Sequence, residues 1–231
     1  MSDSENTVLT ARDIRKEYPS GQGQLQVLNG VNLQVRRGEL VAIMGASGAG
    51  KSTLLHILGM LEEPTSGQLL VYDTDIASLD EVSLARFRNR HIGFVFQHHH
   101  LLPEFTALEN AMMPVLIARR GGAMRDAAID LLSAVGLENR MDHRPSEMSG
   151  GECQRVAMVR ALIMQPKIVL ADEPSGNLDE ATSAALHALL RDVAQRNQQA
   201  FLVMTHDERL ASSMDRRGYL ESGVLHLSLI H

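Results

Sequence analysis

Residues 45–52 read GASGAGKS, and this octapeptide constrains the fold more than any other part of the chain. It has the spacing G-x-x-x-x-G-K-[ST] of a phosphate-binding loop. A short apolar run at 40–44 precedes it, and a helical pattern of leucines follows it. A buried strand, a glycine-rich loop and a helix in this order predict backbone N–H groups that surround phosphates at a helix N-terminus. A flexible glycine-rich turn without a ligand is the alternative, and the flanking elements argue against it.

The residues of this loop supply the predicted phosphate contacts. We expect Lys51 to neutralise the β- and γ-phosphates of a nucleotide and Ser52 to be a ligand of Mg²⁺. The glycines allow the backbone to approach an anion closely. The predicted nucleotide-binding residues of this segment are Gly45, Ala46, Ser47, Gly48, Ala49, Gly50, Lys51, Ser52 and Thr53.

A second apolar strand, IVLADE at 168–173, ends in two acids. Asp172, at the carboxyl edge of a parallel sheet, is predicted to hold the water shell of the same Mg²⁺. Glu173 is predicted to be the general base for an attacking water, a role that contributes roughly 10²–10⁴ in rate. Two acids in a strand-end turn before Pro174 would also fit a structural role, and the phosphate loop favours catalysis.

The segment Ser149-Gly150-Gly151-Glu152 begins another strong helix, and its S-x-x-E spacing is that of a capping box. Capping does not require two glycines, which cost backbone entropy and would let a ligand approach bare N–H groups. One phosphate loop and a second anion-binding helix end suggest a composite site, in which the SGGE segment of each copy closes on ATP held by the other. We therefore expect two copies of this chain around two ATP.

The order of the apolar segments predicts an α/β fold. The first forty residues read as strands. Continuous apolar runs at 40–45, 167–174 and 200–206, separated by helical stretches, indicate a mainly parallel sheet covered on both faces. Helices dominate between these strands at roughly 98–165. The chain is predicted to be a single domain, 1–231, with this helical stretch as an inserted subdomain.

Composition excludes several classes of function. A net charge of −6 gives no basic surface for nucleic acid. The sequence contains no run of about eighteen apolar residues, so no direct insertion into a membrane is expected. The polar start MSDSENT lacks the apolar core of a secretory signal, and the single cysteine, Cys153, cannot form an internal disulfide.

Together, the phosphate loop, the SGGE segment and the acids that end 168–173 resemble those of the ATP-binding subunits of ABC transporters. The resemblance extends over nearly the whole chain, from about Val8 to the final strands. It implies the ABC ATPase form of the P-loop NTPase fold, with an N-terminal antiparallel β subdomain. It also implies hydrolysis of ATP with Mg²⁺, coupled to transmembrane subunits.

Four further roles are implied by this resemblance. Tyr18 matches the aromatic residue that packs against adenine, with a tyrosine packed on the surface as the alternative. Gln97 matches a catalytic glutamine that contacts Mg²⁺ and the attacking water while sensing the membrane subunit. Asp179, in SGNLD, matches the loop that crosses the dimer interface. His206 matches the catalytic histidine that contacts the γ-phosphate, although a lone histidine at a strand end is more often structural.

Three positions depart from the pattern of the family without removing a phosphate contact. Met148 replaces a leucine, Cys153 stands where glutamine is common, and Ser175 where threonine is common. Because Cys153 lies near a helix N-terminus, we expect the pKa of its thiol to be lowered. Oxidation of this thiol is then a hypothetical block to dimer closure.

Three consecutive histidines follow Gln97. Neighbouring side chains diverge in a strand or loop, so adjacent histidines rarely bind one metal ion. The segment QHHHLLPEFTALENAMMP resembles instead the membrane-facing segment of ATP-binding subunits from bacterial lipoprotein-releasing transporters. The stretch HRPSEMSGGE at 143–152 also resembles its counterpart in these subunits. A core-packed loop is the alternative. The residues expected in a docking groove for a partner helix are His98, His99, His100, Leu101, Leu102 and Phe105.

This second resemblance implies a function at the cytoplasmic face of the bacterial inner membrane. There the chain would couple ATP binding and hydrolysis to the release of lipoproteins, held by two different transmembrane subunits. The general motifs fit macrolide or peptide export and division-type regulatory complexes nearly as well. A soluble ABC ATPase acting on DNA or ribosomes would be expected to have paired domains or basic surfaces. A small-molecule kinase would leave the SGGE segment, Gln97 and His206 unexplained.

Overall fold

The computed structural model describes residues 6–21, 23–120, 124–176 and 180–229. It contains two sheets, one of four strands and one of six, with helices packed against them. The predicted α/β class is therefore confirmed. Within these ranges, no helix combines the length and the apolar character that a membrane crossing requires.

The four-stranded sheet is antiparallel throughout and has the order β2-β1-β4-β5. Its strands are β1 (Thr7–Ser20), β2 (Gly23–Arg36), β4 (Ser66–Val71) and β5 (Thr74–Asp75). In the second half of β2, Val31, Leu33 and Val35 are buried while the residues between them are exposed. This alternation follows from the pleat, which directs successive side chains to opposite faces. The predicted N-terminal antiparallel subdomain is thus present.

The six-stranded sheet has the order β10-β9-β3-β8-β7-β6 and is parallel except for β10, which pairs antiparallel with β9. Its strands are β3 (Leu40–Met44), β6 (Ile92–Val95), β7 (Ile168–Asp172), β8 (Ala200–Met204), β9 (Arg216–Glu221) and β10 (Val224–Leu229). All five residues of β3 and of β8 are buried. Burial on both faces explains why these strands read as continuous apolar runs.

Helices cover both faces of this sheet. They are α1 (Lys51–Leu58), α2 (Glu81–His91), α6 (Glu180–Asn197) and α7 (Glu208–Ser212). Side chains of α1 join a core shared with the N-terminal sheet, whereas Leu190 and Ala194 of α6 pack in a second core on the other face. The carboxyl ends of β3, β7 and β8 consequently meet at one edge, beside the N-terminus of α1.

Between β6 and β7, the described residues form three α-helices, in the region where the sequence predicts them. They are α3 (Ala107–Ile117), α4 (Arg125–Ala134) and α5 (Gly150–Leu162). Their buried side chains form a separate hydrophobic cluster that includes Leu108, Leu132 and Val156. The boundaries of a subdomain at 98 and 165, and the treatment of 1–231 as a single domain, stay predictions.

Sequence patterns did not predict α2 or β6. The side chains of α2 include none that is fully buried, so no apolar stripe marks it, and Val82 is 60% exposed. The helix begins instead at a polar cap, where Asp80 accepts the N–H of Ser83 at 2.7 Å. β6 is only four residues long. Both elements depend on neighbours that are distant in sequence.

Candidate nucleotide-binding and catalytic site

The glycine-rich loop 45–50 connects β3 to α1 and leaves its backbone accessible. A Cβ atom on Gly45 would lie 2.4 Å from the carbonyl oxygen of Leu220, so no larger residue fits there. Gly48 has a φ of 79°, and a Cβ atom on it would meet nothing within 4 Å. Gly50 caps α1 with a φ of 99°, and no side chain caps the helix. The first N–H groups of α1 are therefore not occupied by a capping side chain.

The polar side chains of the loop have defined partners. The Nζ atom of Lys51 donates to the carbonyl oxygens of Gly45 at 2.7 Å and Ala46 at 3.0 Å. The hydroxyl of Ser52 donates to Oδ2 of Asp172 at 3.0 Å, across 120 residues of sequence. The N–H of Ala49 donates to the carbonyl of Ala46 at 3.2 Å and closes the turn. The predicted partnership of the loop with the acid at the end of β7 is thus a direct contact.

A cavity of about 500 Å³ lies over this loop. The residues that line it are Val27, Gly45, Ala46, Ser47, Gly48, Gly50, Lys51, Ser52, Thr53, Gln97, Asp172, Glu173 and His206. Segments from five parts of the chain therefore converge at one place. Among the predicted site residues, Ala49, Tyr18 and the SGGE segment do not belong to the lining. Sequence reasoning missed Val27, because its place in β2 carries no chemical signal.

Glu173 stands directly after β7 in a fixed conformation. Its φ is 46°, a backbone state that costs about 1–3 kcal/mol for a residue with a side chain. Two backbone hydrogen bonds fix the turn: the Glu173 N–H donates to the carbonyl of Met204 at 2.9 Å, and the Gly176 N–H donates to the carbonyl of Glu173 at 3.0 Å. The turn directs the carboxylate into the cavity.

Both oxygens of this carboxylate have partners. Nδ1 of His206 lies 2.6 Å from Oε1, and the hydroxyl of Thr205 donates to Oε2 at 3.1 Å. The side chain of Glu173 is 12% exposed, whereas that of His206 is 75% exposed. The carboxylate is therefore largely buried, between one exposed and one buried partner.

The residues at the cavity fit a magnesium ion that arrives with phosphates. Ser52 and Asp172 present a hydroxyl and a carboxylate, oxygen ligands that Mg²⁺ prefers, and Gln97 lines the same cavity. Among the described residues there is no cluster of three or more His, Cys, Asp or Glu side chains able to hold a metal ion. One carboxylate is enough, because Mg²⁺ in nucleotide sites takes most other ligands from phosphates and water.

Tyr18 of β1 lies near the site without lining the cavity. Its hydroxyl donates to Oε2 of Glu62 at 2.9 Å, and Lys16 forms an ion pair with the other oxygen of Glu62, also at 2.9 Å. The Nζ atom of Lys16 lies 5.1 Å from the centroid of the Tyr18 ring. Burial raises the pKa of Tyr18, and the hydrogen bond with Glu62 raises it further. A contact with adenine stays a prediction beside this packed arrangement.

The SGGE segment is a capping box at the start of α5. Ser149 Oγ accepts the N–H of Glu152 at 3.2 Å, and Glu152 Oε2 accepts the N–H of Ser149 at 2.7 Å. Oε1 of Glu152 is paired with Nε of Arg140 at 2.9 Å. The N–H of Ser149 and the charge of Arg140 hold the pKa of Glu152 below its ordinary value. A Cβ atom on Gly150 would meet nothing within 4 Å, so this helix end is open to an approaching ligand.

The expectation that the pKa of the Cys153 thiol is lowered is wrong. The thiol is 2% exposed, and its burial raises the pKa, which the neighbouring charge of Glu152 raises further. Desolvation of the thiolate therefore outweighs the favourable end of α5, and the hypothesis of an oxidation-sensitive cysteine loses its chemical basis.

The predicted interface residue Asp179 lies outside the described residues.

The three histidines surround a turn whose backbone is held by α5. Arg160 donates to the carbonyl oxygens of His99 and His100, each at 2.7 Å. The ring of His100 meets the edge of Phe96, with 5.4 Å between centroids. Burial, with the charge of Arg160, lowers the pKa of His99. His98 is exposed.

An apolar groove of about 440 Å³ lies beside this turn. Its lining comes mainly from α2, β6, α3, α5 and the residues next to them, and it includes Phe94, Phe96, Ile117 and Met164. Of the residues predicted to form a docking groove, His100 lines it. Leu101 is 8% exposed, as the core-packed alternative requires, whereas Leu102 and Phe105 are 40% and 36% exposed. Sequence reasoning missed most of the groove because it missed α2 and β6.

Comparison with known proteins defines the class of this molecule. The family model described as ABC transporter matches residues 28–176. A dimeric structure of a post-hydrolysis state of the ATP-binding cassette MJ0796 bound to ADP and Pi is 36% identical to the chain. Its TM-score is 0.90, with 96% of this chain and 99% of that chain covered. The chain belongs to the ABC transporter family and is an ATPase.

Similarity to curated relatives is closer still. The chain is 51% identical over 217 residues to the lipoprotein-releasing system ATP-binding protein LolD of Myxococcus xanthus, covering 94% of this chain and 97% of that protein. It is 52% identical over 221 residues to LolD of Geobacter metallireducens, with the same coverage of both chains. The similarity therefore extends over almost the full length of these relatives.

Proposed function

We propose that this chain is the ATP-hydrolysing subunit of a lipoprotein-releasing ABC transporter. The observation that supports it most strongly is the single cavity, in which the phosphate loop meets Gln97, Asp172, Glu173 and His206. The similarity to two LolD proteins over almost their full length supports lipoprotein release as the process that this ATP hydrolysis drives.

Nucleotide binding begins at the open end of α1. The phosphates of ATP accept N–H groups of the loop, and Lys51 exchanges its two carbonyl partners for the β- and γ-phosphates. Ser52 and Asp172 would hold Mg²⁺, and the ion would supply positive charge that neutralises the phosphates. In this arrangement Gln97, at the rim, connects the metal site with the segment of the three histidines.

Hydrolysis uses the carboxylate of Glu173. A water oxygen attacks the γ-phosphorus while the bond to the oxygen that bridges the β-phosphate breaks, and Glu173 takes a proton from that water. His206 Nδ1 orients the carboxylate at 2.6 Å, and the exposed ring of His206 is free to reach the γ-phosphate. The products are ADP and phosphate.

A complete site requires a second copy of the chain. The SGGE segment does not line the cavity of its own copy, and its open Gly150 suits an approach to the ATP of the other. A similar cassette forms dimers in two solved structures, one of 37% and one of 36% identity. ATP binding closes such a dimer and hydrolysis reopens it, with Asp179 proposed at the interface.

The apolar groove beside the three histidines is the proposed contact with a transmembrane subunit. Ile117 lines this groove and is exposed, and the neighbouring segments carry three further exposed apolar residues, Leu102, Phe105 and Leu116. A helix of a transmembrane subunit docked here would hold the chain at the cytoplasmic face of the inner membrane. Movement of the dimer would then reach the membrane subunits, which handle the lipoprotein.

The test is affinity purification of the chain from its native membranes in mild detergent, followed by mass spectrometry. Two different transmembrane subunits with large periplasmic domains support lipoprotein release. A division-type or drug-export membrane protein keeps the ATPase mechanism and overturns the substrate. A chain substituted with aspartate at both Leu116 and Ile117 is the control, since it should lose the membrane partners and keep ATP hydrolysis.

A further inference from the structure

Thr205 is a buried polar residue at the catalytic carboxylate that the mechanism above does not use. It follows β8 directly, precedes His206 and is 0% exposed. Its hydroxyl oxygen lies 3.0 Å from the backbone nitrogen of Asp207 and 3.1 Å from Oε2 of Glu173. In the sequence, Thr205 stands only as part of the apolar run 200–206, and its own position there carries no sign of a catalytic role.

The direction of these two hydrogen bonds follows from the chemistry of the groups. A backbone N–H can only donate, so the threonine oxygen accepts from Asp207. An ionised carboxylate can only accept, so the single hydroxyl hydrogen of Thr205 is given to Glu173. The donor therefore has one fixed orientation, set by the turn that begins α7.

The two side-chain partners of Glu173 differ in exposure. His206 is 75% exposed, and the proposed function requires it to turn toward a γ-phosphate. Thr205 is fully buried, and its backbone N–H donates to the carbonyl of Ile43 in β3 at 3.0 Å. Contact with Thr205 should therefore persist when ATP engages His206, and it should keep Oε2 from turning toward solvent.

We propose that Thr205 is a positioning residue for ATP hydrolysis, whose buried hydroxyl holds one carboxylate oxygen of Glu173 so that the other faces the attacking water. This inference rests on the proposed role of Glu173 as general base. Thr205 acts through Glu173 and does not touch the nucleotide. Its removal should therefore impair turnover without weakening ATP binding.

The test uses Thr205→Val, which keeps the shape of the side chain and removes the hydroxyl. Misplacement of the base predicts a fall in kcat of about 10–100-fold, with KM for ATP unchanged. Thr205→Ser restores the hydroxyl and should recover most of kcat. Thr10→Val is the matched control, because Thr10 is also a buried threonine but lies in β1 and is not one of the side chains bonded to Glu173, so kcat should stay normal.

A double variant separates positioning from a structural role. In a Glu173→Gln chain, the residual single-turnover rate should not change when Thr205→Val is added, because the hydroxyl acts through the carboxylate. A further loss there would overturn the proposal, as would normal kcat in Thr205→Val or an equal loss in Thr205→Ser. If Thr205→Val does not fold, the smaller Thr205→Ala replaces it in both comparisons. Normal turnover in Glu173→Gln alone would instead refute the proposed role of Glu173.

Discussion

Two helices of this chain begin at glycine-containing segments, and they begin in opposite ways. The N-terminus of α1 has Gly50 as its cap, no capping side chain, no acid in its first turn and Lys51 as its first residue. The N-terminus of α5 has a complete capping box and an acid in its first turn. Both N-termini carry the positive end of a helix dipole. Their different suitability for an anion therefore comes from the capping and first-turn residues.

This contrast teaches that an anion site needs donors that are not already used. The first N–H groups of α1 have no capping side chain, so we expect a single copy of the chain to bind phosphates there. The N–H of Glu152 is already bonded to Ser149, and the carboxylate of Glu152 would place a negative charge near any phosphate that approached this helix end. We expect α5 to contribute only after α1 of another copy has brought the nucleotide, and more weakly.

The largest effect is expected from Glu173→Gln, which leaves both helix ends intact and removes the base. Turnover should fall by roughly 10²–10⁴, while ATP affinity is kept and closed dimers accumulate. Steady-state phosphate release and analytical ultracentrifugation with ATP measure the two effects. Normal turnover would contradict the role of Glu173, and a monomeric chain at saturating ATP would contradict the contribution of α5.

Lys51→Ala tests phosphate binding at the N-terminus of α1. Removing the charged partner of the phosphates should cost about 2–5 kcal/mol of ATP binding, measured by calorimetry on the single copy. Lys167→Ala is the matched control, since Lys167 is exposed and does not line the cavity. Unchanged ATP affinity in Lys51→Ala would count against the phosphate loop as the primary site.

Ser149→Ala removes the side-chain cap of α5 and tests the part of this helix end in dimerisation. Loss of the cap should lower the free energy of unfolding by about 0.5–2 kcal/mol, leave ATP affinity of the single copy unchanged and weaken ATP-driven dimerisation in the Glu173→Gln chain. Thr106→Ala provides a close control, because Thr106 and Glu109 form the same capping box at α3. If both variants weaken dimerisation equally, the effect is one of stability and α5 has no special part.

The smallest effect is expected from Arg140→Gln, which leaves Glu152 without its ion pair. The two side chains are 45% and 19% exposed, so the pair contributes about 0.2–1 kcal/mol to stability. Unpaired Glu152 should repel the phosphates of the partner's ATP, so dimerisation weakens, and adding Glu152→Gln should restore it. Arg125→Gln is the control for net charge. Failure of the double variant to recover would remove the electrostatic explanation.

Sequence patterns predicted what is encoded by neighbouring residues. The strand–loop–helix around residues 45–52, the capping box at Ser149 and the apolar strands that end at Asp172 and Met204 all depend on short-range spacing. The expectation for Cys153 failed because a local rule about helix ends ignored burial, which only packing with α3 and α4 creates.

The sequence by itself determined the class of fold and the chemical types present, since backbone periodicity and glycine placement are local properties. The tertiary structure alone decided that Thr205 donates to Glu173, that Arg140 pairs with Glu152, and that the groove beside His100 is built from α2 and α5. These contacts join segments that are distant along the chain. Their geometry depends on strand order and helix packing, which no short-range pattern specifies.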